Sequence, residues 1–230
     1  MVFGSNIISE KSHEARAIAA RVISIEADAL HQMAGDLPAD FAGAVEAILQ
    51  TKGRVIVSGV GKSGHIGNKI AATLASTGTP ASFVHATEAS HGDLGMVTAA
   101  DFCLLISNSG ETSELRDIVA HTRRFGIPMA AISSKPHSTL MQAADFKLAL
   151  PAAPEACSIG MAPTTSTTLT LALGDALAVA LMERRDFQPE DFKVFHPGGK
   201  LGAQMATVAQ LMHRGGALPI VDHTTSMQDA

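Results

Sequence analysis

Apolar residues recur at Ala15, Ile18, Ala19, Val22, Ile25, Ala29 and Met33. This three-and-four spacing predicts a helix over 12–33 with one buried stripe. A second helix is expected after Asp36, read as its cap, with Pro38 in the first turn and Gly53 at its end. Phe41, Val45 and Ile48 carry its apolar face. The period then changes. Residues 54–58 are a short β-branched run, read as a buried strand, and further strands are expected over 81–84, 102–106, 128–132 and 146–150. Helical stretches separate them: one through Ala75, one over 112–124, a short one around 138–143, and a long Ala/Leu/Thr-rich one over 162–185.

Short apolar strands alternating with helices predict an α/β domain with a parallel sheet covered on both faces and right-handed crossovers. The two leading helices pack outside that sheet or on a partner subunit. After Gly202 the character shifts: Val208, Leu211 and Met212 suggest a short helix, and 217–221 a strand. The expected division is therefore a domain over 1–202 and the start of another module over 203–230.

Composition narrows the function. Of 230 residues, 46% are hydrophobic and 17% charged, enough apolar material for one core. The formal charge of −5 excludes a broad basic face for nucleic acid, and with neither Trp nor Tyr there is little to stack single-stranded bases on. Two cysteines are not a disulfide framework. Cys103 lies in an apolar run and reads as a buried small hydrophobe, whereas Cys157 lies in a loop. Residues 1–11 lack the charge and apolar pattern of a signal peptide, no uninterrupted apolar run is long enough for a bilayer, and the expected location is the cytoplasm.

Candidate chemistry begins at Gly59-Val60-Gly61-Lys62-Ser63-Gly64, between a strand and a helix. A phosphate-binding P-loop would need Gly where Ile56 stands. A dinucleotide fingerprint fits literally, but the acid expected after the second strand is missing, since Phe83-Val84-His85 stand there. A simple anion loop, with helix N–H groups and Lys62 as cation, competes with an ordinary tight turn. A second loop, Ser107-Asn108-Ser109-Gly110-Glu111-Thr112-Ser113, also leads from a strand into a helix and offers hydroxyls. Its residues could be mere caps, but two such loops at the ends of strands one and three favour a ligand site. Glu88, Glu111, Glu114 and Glu155 are the acids within reach; Glu114 also suits dipole compensation and Glu155 a solvated loop. His196 opens a His-Pro-Gly-Gly turn that would present its imidazole.

These motifs, together with Ala75-Ser76-Thr77-Gly78-Thr79-Pro80, His91-Gly92-Asp93-Leu94-Gly95-Met96-Val97 and Gly174-Asp175-Ala176-Leu177, closely resemble the D-arabinose 5-phosphate isomerases, sugar isomerase (SIS) domain enzymes of Kdo biosynthesis. The resemblance runs from about Ile25 through Gly202. It implies a three-layer domain with a five-stranded parallel sheet, a tetramer, and interconversion of D-ribulose 5-phosphate and D-arabinose 5-phosphate with no cofactor, supplying lipopolysaccharide synthesis. Carried over by motif, the catalytic positions fall on Lys62, Glu114, Glu155 and His196. Substrate contacts fall on Gly61, Ser63, Gly78, Thr79, His85, His91, Ser107, Asn108, Ser109 and Thr112. Zinc in this family resembles an inhibitor, with His85 as its contact here. The family commonly continues into a pair of CBS domains, and 208–230 resembles the opening of the first.

Aldose–ketose isomerisation moves a proton between adjacent carbons and needs a base and a stabilised oxyanion. The roles expected are Glu155 as carbon base, His196 in ring opening or oxygen proton transfer, Lys62 against negative charge, and Glu114 positioning His196 or sharing in proton transfer. A sugar-phosphate sensor on the same fold is the rival; it needs the phosphate cradle but neither the two carboxylates nor His196.

Overall fold

The computed structural model describes residues 3–196, 212–215, 218 and 220–228, with side chains from residue 12 onward. The elements in chain order are α1 (Phe3–Gly35), α2 (Phe41–Gln50), β1 (Val55–Gly59), α3 (Gly61–Ser76), β2 (Ala81–His85), α4 (Ala86–Ser90), β3 (Phe102–Ile106), α5 (Arg116–Phe125), β4 (Met129–Ser133), α6 (Thr139–Ala143), β5 (Phe146–Ala149), α7 (Thr165–Arg184) and α8 (Pro189–Phe195). Short 3-10 turns lie at Asp93–Met96 and Ser113–Leu115.

The five strands form one parallel sheet in the order β2-β1-β3-β4-β5. Successive side chains of a strand point to opposite faces, so each strand feeds two cores. Val55, Val57, Leu104, Ile106, Ala130 and Ile132 meet the apolar faces of α1, α2, α3 and α7. Ile56, Cys103, Leu105, Met129 and Ala131 meet α4, α5 and α6. The inner strands β1, β3 and β4 are buried at every position because both faces are dry. The three-layer α/β reading therefore holds, with five strands as expected. Burial pushes the Cys103 thiol up to about 12, so it behaves as the inert hydrophobe expected.

Two features set the site's geometry. Gly59 pairs with both His85 and Ile106, so the C-terminal ends of β2, β1 and β3 lie level. The chain moves outward from β1 to β2, then crosses back to β3 on the other side of β1; loops diverge there and leave a crevice. On the covering layer, α7 packs on α3 at Gly174, where an added Cβ would lie 2.4 Å from Ile70 Cδ1.

Some expectations need correction. Asp36 does not cap the second helix, which starts at Phe41 after Asp40; the Asp40 carboxylate instead accepts from the Lys147 N–H at 2.8 Å. That helix ends at Gln50 rather than at Gly53. Helix α7 is long and apolar enough to cross a bilayer by length and composition, contrary to the sequence reading, but Leu169, Leu173, Leu177 and Leu181 are buried in the core. The chain divides into two compact units, Met1–Phe187 and Gln188–Ala230, earlier than the boundary expected after residue 202. The expected helix at Val208 and Leu211 lies outside the described residues. Leu218, Ile220 and Val221 are described and form no strand; they are exposed, and among the described residues no neighbouring strand pairs with them.

Candidate functional site

The crevice between the ends of β1 and β3 is a cleft of about 360 Å³ in the first unit. Val60, Lys62, Ser63 and Ile66 supply one side, Ile106, Ser107, Asn108, Ser109 and Thr112 the second, and Pro163, Ser166, Thr167 and Thr170 the third. Six of the expected residues thus meet here: Lys62, Ser63, Ser107, Asn108, Ser109 and Thr112.

Glycines make the first side. Gly61 has φ +56° and turns the strand directly into α3. An added Cβ at Gly64 would lie 2.9 Å from the Gly59 carbonyl oxygen, so only hydrogen lets the helix start so close to the strand. The first N–H groups of α3 have no intrahelical acceptor and bring partial positive charge to the cleft. Exposed Lys62 adds a full charge.

The second side is a hydroxyl loop held by its own bonds. Ser107 Oγ accepts from the Gly110 N–H at 3.0 Å and is hydrogen-bonded to Thr112 Oγ1 at 2.7 Å. Ser109 Oγ accepts from the Glu111 N–H at 3.2 Å. Gly110 has φ +67°, and an added Cβ there would fall 1.9 Å from Ser138 Oγ. Glu111 does not enter the cleft set; its oxygens accept from the Thr139 N–H and hydroxyl, tying the loop to α6.

The third side was missed by sequence reasoning. Ser166, Thr167 and Thr170 occupy the first turns of α7, where Ser and Thr in sequence suggest only caps. Glu155 stands behind them. Its Oε2 accepts from the Thr164 N–H at 2.7 Å, the Thr164 hydroxyl at 3.1 Å and the Ser166 N–H at 3.3 Å, and its Oε1 accepts from Ser166 Oγ at 2.5 Å. Burial pushes the Glu155 carboxyl up, but these donors outweigh it and hold the group below its ordinary value. Glu155 is thus not a solvated loop carboxylate; it caps α7.

Glu114 lies fully exposed on the turn before α5, accepting from the Ser113 hydroxyl at 2.9 Å. Its own N–H, that hydroxyl and the nearby His85 imidazole hold its carboxyl low. His85 ends β2, accepts at Nδ1 from the Thr87 N–H at 3.3 Å, and sits edge-on to Phe83. Exposed His91 follows α4. Among the described residues no group of three or more His, Cys, Asp or Glu could hold a metal ion.

Gly78 and Thr79 are not brought to the cleft. They precede β2 and so lie at the opposite, N-terminal edge of the sheet. Gly78 has φ +89° beneath the Phe187 ring, and Thr79 is buried. His196 belongs to the second unit, where Nδ1 approaches the Phe192 carbonyl oxygen at 2.9 Å and the two rings stack.

Comparison with known proteins agrees with this geometry. The SIS domain family model matches residues 48–180. An arabinose 5-phosphate isomerase of Yersinia pestis is 51% identical over 211 residues, covering 91% of this chain and 64% of that protein. That of Escherichia coli K12 is 49% identical over 210 residues, again 91% and 64%. The chain thus spans somewhat under two thirds of these relatives' length. The solved structure of E. coli CFT073 c3406 in complex with arabinose 5-phosphate superposes with a TM-score of 0.78 at 39% identity, covering 80% of this chain and 98% of that one. The Vibrio vulnificus NanR protein complexed with ManNAc-6P shares the fold at 20% identity, with a TM-score of 0.67 over 91% of this chain and 74% of that one.

Proposed function

This chain belongs to the SIS domain family, and we propose that within it the protein interconverts D-arabinose 5-phosphate and D-ribulose 5-phosphate. The observation that carries the reading is a cleft of anion donors at the sheet's switch point, in a chain about half identical to arabinose 5-phosphate isomerases along most of its length.

The phosphate sits against the N–H groups at the start of α3, Lys62, Ser63 and the hydroxyl loop, and its binding energy positions the reacting carbons. The aldose opens to its free aldehyde. A carboxylate removes the C2 proton, giving a cis-enediolate; the proton returns at C1 while O1 gains and O2 loses a proton, so atoms balance without redox chemistry. Glu155 is the carbon base in this reading. A carboxylate offers about four lone-pair sites; Oε2 carries three donors and Oε1 one, so Oε1 retains capacity for a proton. Lys62 stabilises charge on phosphate or enediolate. Glu114 beside His85 shares in oxygen proton transfer or positions the His196 supplied by a neighbouring subunit of a homo-oligomer, a tetramer in this reading. The reaction is placed in the cytoplasm, feeding Kdo synthesis.

The test is direct: incubate the purified chain with D-ribulose 5-phosphate and a panel of other ketose phosphates, and follow aldose formation by NMR. Conversion to D-arabinose 5-phosphate is expected. Tight binding with no turnover of any member would replace the enzyme by a sugar-phosphate sensor.

A further inference from the structure

Hydrogen-bond polarity divides the cleft into two kinds of wall. The α3 start, Lys62 and Ser63 present donors, as an anion requires. The α7 side differs. A hydroxyl has one proton to give. Ser166 Oγ gives its proton to Glu155 Oε1 at 2.5 Å, a charge-assisted bond that outcompetes neutral acceptors. Thr167 Oγ1 donates to the Thr164 carbonyl and Thr170 Oγ1 to the Ser166 carbonyl, both at 2.8 Å. These three side chains are among those lining the cleft, and with their protons already given their hydroxyls can offer a ligand only lone pairs.

A phosphate oxygen is itself an acceptor and gains nothing from such a wall. A sugar hydroxyl is a donor and does. We propose that Ser166 is a specificity residue that accepts a hydrogen bond from a hydroxyl of the bound sugar, with its polarity fixed by Glu155, so that the ligand lies with its phosphate at α3 and its polyol end on α7. This rests on the sugar-phosphate reading above, but it concerns binding, which is measured apart from turnover.

The experiment is calorimetric titration with D-arabinose 5-phosphate and, separately, inorganic phosphate. Ser166→Ala should weaken D-arabinose 5-phosphate about three- to tenfold, the range of one hydrogen bond, and leave inorganic phosphate unchanged. Lys62→Ala should weaken both. Equal weakening of both ligands by Ser166→Ala would put Ser166 in the phosphate cradle and overturn the proposal. So would no effect on either, or wild-type protein binding the sugar phosphate no tighter than phosphate. Glu155→Gln provides a second route that leaves Ser166 in place. Its amide donates to Ser166 Oγ and releases the hydroxyl proton toward the cleft, so it should weaken D-arabinose 5-phosphate selectively, and adding Ser166→Ala should cost little more. Additive losses would show that Glu155 does not set Ser166, overturning the polarity argument. Failure of the proposed reaction looks different: wild type binds and does not isomerise, while the ligand contrast between variants persists.

Discussion

Replacing Glu155 should cost stability as well as function, because its carboxylate closes the start of a core helix. Two unpaired N–H groups of the α7 terminus, on Thr164 and Ser166, end on Oε2, with two hydroxyls completing the set. Losing a cap costs about 0.5–2 kcal/mol, and losing a negative charge at a helix start about 0.3–1 kcal/mol. Glu155→Ala should therefore destabilise by about 2 kcal/mol. At ~2–4 °C per kcal/mol for a domain of this size, its Tm should fall by about 4–8 °C. Glu155→Gln keeps an acceptor for the backbone but loses the charge, and should lose roughly half as much. The pH dependence fixes the cause. The folded Glu155 carboxyl is held below its ordinary value of 4.5, so its contribution is complete above that value and fades as pH falls through the folded value. Scanning calorimetry of the wild type and Glu155→Gln should show the full gap at pH 7, shrinking only below about pH 4.5. An unchanged Tm for Glu155→Ala, or a gap that stays constant into that acid range, would refute the capping argument.

Gly174→Ala should destabilise by about 1–3 kcal/mol through overpacking on buried Ile70, and Ile70→Val should recover part of the loss in the double variant, read by urea unfolding. His196→Ala should abolish most isomerisation while retaining sugar-phosphate binding. If His196 serves a neighbouring subunit, mixing that variant with Lys62→Ala should restore some activity once mass spectrometry shows subunit exchange. An exchanged mixture that stays inactive would return His196 to its own chain.

What the sequence made legible depended on the range of the signal. The strands were readable because runs such as Phe102-Cys103-Leu104-Leu105-Ile106 are buried on both faces, a local pattern with a local cause. The two cleft loops were readable only as a pair: each alone could be a tight turn or a cap, but two glycine- and hydroxyl-rich turns at the ends of strands one and three fall together at one edge of the sheet. Helix α4 buries only Ala86 and Ala89, too weak an apolar signal to stand out in five residues. Helix α8 carried a signal that went unread: Pro189 at its start and a capping box between Gln188 and Asp191. The α7 wall could not be read, since its hydroxyls matter only because tertiary packing docks that helix beside α3. Glu155 likewise reads as a solvated loop acid until the chain folds back nine and eleven residues later onto Thr164 and Ser166. Gly78 and Thr79, assigned by similarity alone, stand at the opposite edge of the sheet from the cleft, a placement that the motif itself does not encode.

The contact of Gly174 with Ile70 has a consequence for how this cleft can change over time. Both residues lie nine positions beyond the first residue of their helices, so by helical rise they sit ~13.5 Å from the two ends that open on the cleft. The gape of the cleft is set there, deep in apolar packing, by a missing side chain rather than by anything that meets solvent. The jaws are spaced from the hinge side and toothed from the mouth. Hydroxyls on α7 can be exchanged one at a time, retuning the polarity of the mouth, without moving the jaws. A change at Gly174 would shift every tooth at once, and no single replacement at the mouth could put them back.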